Sequence, residues 1–143
     1  MKDTITQFTF LNNRTYYTIS SLVEDSASLF FTRIGANDPN FNLRRETAYV
    51  IRKKGEKQIF LNVIEIHGSY DPIVEYSANT YPSVENVKLL ENEDYTVAEI
   101  TINGKKLTIA QSNKIFTKET MHMAKGITWK GPFTVSYDNK ILK

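Results

Sequence analysis

Alternation of apolar and polar residues, not helical spacing, runs along this chain. Ile5 to Phe10 alternates, Asn12-Asn13 offers a turn, and Thr15-Tyr16-Tyr17-Thr18-Ile19 follows, which is the pattern of two paired strands. Ser28 to Ile34 and Thr47 to Arg52 predict two more. Lys57 to Ile66 predicts another, and its stretch Ile59 to Ile66 is so apolar that a central strand covered on both faces is expected. The segments from Gly35 to Glu46 and from His67 to Pro82 are dense in turn residues and read as loops. Val84 to Leu90, Tyr95 to Ile102 and Lys105 to Ala110 are strands again, the last two joined by Asn103-Gly104, a dipeptide that tolerates positive φ at both positions. Thr120 to Ser136, with Gly126, Trp129 and Gly131-Pro132, reads as two short strands. About ten strands, with turn signals roughly every 8 to 12 residues, predict an all-β fold, an antiparallel β-sandwich formed by residues 1–143 as a single domain.

Composition agrees with the pattern. The chain holds 37 β-branched residues against 16 Ala plus Leu, with 8 Phe and 8 Tyr besides. A net charge of +2 argues against a nucleic-acid binder or a polybasic membrane binder. The absence of cysteine excludes disulfides, thiolate metal sites and a cysteine nucleophile. No apolar run is long enough to span a bilayer, and the first residues lack the apolar core of a signal peptide. If the native protein is exported, its targeting segment is expected outside this chain.

Two places carry candidate chemistry. Glu65 and His67 lie two residues apart at the end of the apolar strand, so alternation puts them on one face. A carboxylate beside an imidazole suits an acid/base pair, a sugar contact or half a metal site, with Asp71 and Glu75 following in the loop. The plainer alternative is a His67 that hydrogen-bonds Glu65 and fixes the strand end and the turn at Gly68. A metal is not expected, because the other histidine, His122, is remote in sequence. In the first loop, Arg44 and Arg45 can offer forked guanidinium donors to the carboxylates of an acidic polysaccharide, or can pin the loop by reaching Asp38 or Glu46. Lys53, Lys54, Lys105 and Lys106 read as solvated hairpin tips. Tyr16, Tyr17, Tyr49 and Tyr95 read as core or cross-strand residues, and Trp129 as core before sugar platform. No phosphate loop, nucleophile elbow or zinc-protease motif is present.

Four segments, in order, resemble one known family. They are Gly35-Ala36-Asn37-Asp38-Pro39-Asn40-Phe41-Asn42-Leu43-Arg44-Arg45-Glu46, Val63 to Pro72 with its Glu65-Ile66-His67-Gly68, Asn92 to Ile100, and Trp129-Lys130-Gly131-Pro132-Phe133. Together they resemble the C-terminal part of the family 17 oligoalginate lyases, in the heparinase II/III-like superfamily. Ile66 departs from that pattern, where proline is common. The resemblance implies a C-terminal β-sandwich-like domain of a larger polysaccharide lyase, which would cleave a uronate polysaccharide by β-elimination in the periplasm or outside the cell. It also implies that the catalytic Tyr, His and Asn belong to an N-terminal α/α toroid and the metal to a central β-domain. On that reading this domain has no catalytic residue and no cofactor, and is inactive in isolation. It packs on the toroid and the central β-domain, and lends Arg44, Arg45, Glu65 and His67 to acidic polysaccharide or oligosaccharide, or to a homodimer contact. Two other readings remain open: a stand-alone carbohydrate-binding module, and a dimerisation or structural domain.

Overall fold

The computed structural model describes residues 4–35, 45–114 and 117–142. Thirteen strands and no helix occur among them: β1 (Thr4–Asn12), β2 (Thr15–Val23), β3 (Ser28–Gly35), β4 (Arg45–Arg52), β5 (Asn62–Asp71), β6 (Tyr76–Ala78), β7 (Val84–Glu91), β8 (Tyr95–Ile102), β9 (Lys105–Ser112), β10 (Met121–Ala124), β11 (Ile127–Lys130), β12 (Phe133–Tyr137) and β13 (Lys140–Ile141). With no helix, there is none long and apolar enough to cross a membrane among the described residues.

The chain divides into two compact units. One is built on the β3–β4 hairpin, whose register runs from Ser28 opposite Arg52 to Gly35 opposite Arg45. Lys53 follows β4 and does not reach into water as a hairpin-tip lysine would. Its side chain is 2% exposed, its ammonium lies 3.0 Å from Glu24 and it sits over the Phe60 ring. A buried ammonium needs such a set of partners, which the sequence pattern around a turn does not reveal.

The other unit holds the remaining eleven strands. A four-stranded sheet, in the order β1-β2-β5-β6, packs on a five-stranded sheet, in the order β13-β12-β9-β8-β7. Leu22 of the first sheet and Val84, Val87 and Ile100 of the second form the buried core between them, with Ile5, Val63, Leu89, Ile102 and Leu107 around it. This is the expected antiparallel sandwich. Burying each such side chain is worth roughly 1.5–3 kcal/mol before the entropy of ordering it is counted.

Alternation gives β8 a second apolar face. Val97 points away from Ile100, and together with its cross-strand partner Ala110 it packs against Trp129 in a separate cluster that includes Tyr95, Ala124 and Ile127. The two-stranded β10–β11 hairpin therefore forms a third layer over the five-stranded sheet. Trp129 is a core residue here.

Three expectations need correction. The apolar strand starts at Asn62, not Lys57, and only one of its faces is covered: Ile64 and Ile66 are 66% and 67% exposed. The loop expected from His67 contains the end of β5 and all of β6, so it is a hairpin. The stretch from Thr120 to Ser136 holds three short strands, β10, β11 and most of β12, instead of two, and β13 follows it. Asn103-Gly104 does make the expected turn, with φ of 49° and 73°.

Candidate functional site

β5 turns Val63, Glu65 and His67 to the inner face of its sheet, while Ile64 and Ile66 face outward. Glu65 and His67 thus share a face, as alternation requires, but their hydrogen bonds run to different targets. Both carboxylate oxygens of Glu65 accept the Ser83 N–H, at 2.8 and 2.9 Å, and one also accepts the Val84 N–H at 3.2 Å. Partial burial pushes the Glu65 carboxyl pKa up, yet these donors and the neighbouring His67 outweigh it and hold the group below the ordinary glutamate value.

His67 is held at both ring nitrogens. Nδ1 donates to the Asn79 carbonyl at 2.8 Å, and Nε2 lies 2.8 Å from the Thr18 hydroxyl. Thr18 is fully buried and is itself 2.6 Å from the Thr9 hydroxyl. The Asn79 carbonyl can only accept, so Nδ1 carries a proton, and the Thr18 hydroxyl links Nε2 to the Thr9 hydroxyl. Tyr16, opposite His67 on β2, stacks on the imidazole at 6.2 Å between centroids, and its hydroxyl reaches Ser77 at 2.9 Å.

The backbone explains why the two side chains converge on residues 79–84. Between the pairs Thr15↔Ser69 and Tyr16↔His67 the register shifts, leaving Gly68 as the extra residue of a β-bulge. Its φ is 56°, and an added Cβ would stand 2.2 Å from the Asn79 carbonyl oxygen and 2.4 Å from that of Ala78. Only glycine lets the chain after β6 come so close. Glu65 and His67 then fasten that returning chain by its own backbone groups. They fix the strand end and the Gly68 turn without bonding each other.

Asp71 accepts the Ile73 N–H at 2.8 Å, closing a tight turn. No group of three or more His, Asp or Glu able to hold a metal ion occurs among the described residues. Arg44 falls outside the described residues, and Arg45 is described only as the first residue of β4, opposite Gly35. Sequence reading missed Thr18 and Asn79, the partners of His67. Their roles depend on cross-sheet register, which residue order does not display.

No family model matches this chain. It is similar to an exo-oligoalginate lyase of Saccharophagus degradans, 29% identical over 121 residues that make up 81% of this chain and 16% of the relative. It is also similar to an alginate lyase of Stenotrophomonas maltophilia, 30% identical over 104 residues, 71% of this chain and 14% of the relative. The chain is related to alginate lyases over these stretches. It spans less than a fifth of the length of the curated relatives it matches.

Proposed function

We propose that this chain is an accessory β-domain of a polysaccharide lyase, corresponding to the C-terminal domain of the heparinase II/III-like enzymes, and that it supports β-elimination on a uronate polysaccharide without performing it. The observation that carries this reading is the lopsided coverage: the similarity takes in most of this chain and a small share of each lyase. The state of Glu65 and His67 supports it, since both spend their hydrogen-bonding capacity on the protein's own backbone and hydroxyls. A periplasmic or extracellular location accords with the reading.

The outer face of the four-stranded sheet supports a packing role. Phe10 stacks on Tyr17 at 5.4 Å, Tyr17 pairs with Ile66, and Ile19 pairs with Ile64, so aromatic and aliphatic side chains run across three strands. A sheet face of this kind is what a domain offers to a larger partner. The catalytic part of a lyase is the partner proposed.

Two measurements test this. Incubated with alginate oligomers, the chain alone should produce no unsaturated uronate, and signal that co-purifies with it through successive steps would refute the accessory role. The chain alone should also self-associate in sedimentation velocity, and Ile64→Ser with Ile66→Ser should return it to monomer. A monodisperse wild-type monomer at all concentrations would count against packing through this face.

A further inference from the structure

A second polar site lies under the β10–β11 hairpin, remote in sequence from Glu65 and His67. Glu99, Thr108 and Ser136 form a row across β8, β9 and β12, because Thr108 is the register partner of both others. They share the sheet face that carries Val97 and Ala110, the face the hairpin covers. A cavity of about 260 Å³ opens over this row. That is far above the ~10–15 Å³ that a single bound water needs.

Its rim is stiff. Lys125-Gly126, with φ of 52° and 78°, joins Ala124 to its partner Ile127, and Asp138-Asn139, with φ of 49° and 64°, joins Tyr137 to Lys140. Both are two-residue turns with positive φ at each central position, the tight type that matches strand twist. They set Lys125 and Asn139 at the mouth of the cavity, and Ile127 and Ile141 add an apolar flank.

The floor is unfinished. Thr108 and Ser136 are only 4% and 5% exposed, and neither hydroxyl has a hydrogen-bond partner among the described residues. Both line the cavity. Both hydroxyls keep access to this roomy polar cavity, so their hydrogen bonds are left to whatever fills it, water or a ligand that displaces water. Glu99 is 3.5 Å from the Lys106 ammonium, which leaves Lys125 as the cation at the mouth without a carboxylate partner of its own among the described residues. One carboxylate and two lysines line the cavity, a charge balance that favours an anion over a metal ion.

We infer that this cavity binds one uronate residue, a hydroxylated sugar carboxylate. Its carboxylate lies toward Lys125, its hydroxyls meet Thr108, Ser136, Asn139 and Glu99, and its C–H face lies against Ile127. The cavity and its open hydroxyls are independent of the lyase reading; the choice of a uronate rests on it.

Amide chemical shifts of the isotope-labelled chain, titrated with sodium D-glucuronate, D-glucose and sodium acetate, test this. Glucuronate should move amides of residues 106–108, 125–127 and 136–139 with millimolar affinity, and glucose and acetate should each bind at least about fivefold more weakly. Lys125→Gly keeps the positive φ of the turn while removing the ammonium, and should weaken glucuronate at least about fivefold. Ser136→Ala should weaken both sugars. The proposal is overturned if glucuronate moves no amide around the cavity, if acetate binds as well as glucuronate, or if both variants bind as the wild type does. Failure here, with elimination intact in a longer polypeptide carrying this sequence, removes the cavity proposal alone. Uronate binding here, with no elimination by that polypeptide, removes the lyase reading alone.

Discussion

Two polar regions of the eleven-strand unit use similar residues and end in opposite states. At the end of β5, Thr9, Thr18, Glu65 and His67 pass their hydrogen bonds to one another or to the backbone of residues 79–84. Under the β10–β11 hairpin, Thr108 and Ser136 are nearly as buried as Thr18, yet their hydroxyls face open volume. The first arrangement lowers the energy of the folded chain by itself. The second leaves its bonds to whatever fills the cavity, water or a ligand. Chemical type alone therefore does not mark a binding site; access of the polar groups to open volume is needed as well.

If the first region is structural, its keystone is Gly68. Gly68→Ala sets a Cβ against two backbone carbonyls at a position of φ 56°, and should cost about 3 kcal/mol or more, read as a fall in the urea midpoint. Gly104→Ala is the control. Its φ is 73° but nothing stands within 4 Å, so only the backbone penalty of about 1 kcal/mol applies. Equal costs would show that residues 78–79 do not press on Gly68.

Side-chain removal separates the two regions further. Glu65→Ala leaves the Ser83 and Val84 amides short of an acceptor, and Thr18→Val deprives His67 of its Nε2 partner. Each should cost about 2 kcal/mol by urea denaturation. Thr108→Val gives up no hydrogen bond, and should stay within about 0.5 kcal/mol of the wild type. A Thr108→Val cost as large as that of Thr18→Val would erase the distinction. Acid gives an independent reading. The Glu65 pKa is lower folded than unfolded, so its contribution is present above the unfolded glutamate value and fades as pH falls through the folded one. Glu65→Gln should flatten that part of the stability curve, and an unchanged acid limb would refute the assignment.

Much of this was legible in residue order, because period-two alternation reports local geometry directly. The placing of Glu65 and His67 on one face followed from it, while the Asn103-Gly104 turn followed from the dipeptide's tolerance of positive φ and the core use of Trp129 from its large apolar ring. The exposed face of β5 did not. An apolar run from Ile59 to Ile66 looks the same whether its second face meets this chain or a partner. Lys53 was misread because the groups that bury it, Glu24 and Phe60, come from opposite ends of the β3–β4 unit. The Glu99, Thr108 and Ser136 row was invisible for a related reason. The three lie on different strands, and only register makes them neighbours.

The faintest expected effect belongs to an exposed contact. Lys114 pairs with Asp94 beyond the end of β9, and the hydrogen bond and charge of Asp94 raise the lysine pKa. Whatever stability this adds is present below the unfolded lysine value and fades as pH rises through the raised one. Both partners are open to water, so screening and the entropy of holding two side chains should leave little net gain. Lys114→Ala should be indistinguishable from the wild type in urea at physiological salt and neutral pH. A clear loss there would mean that geometry alone, without burial, can make a polar contact structural, and the contrast between the β5 end and the hairpin cavity would then need more than buried hydroxyls to sustain it.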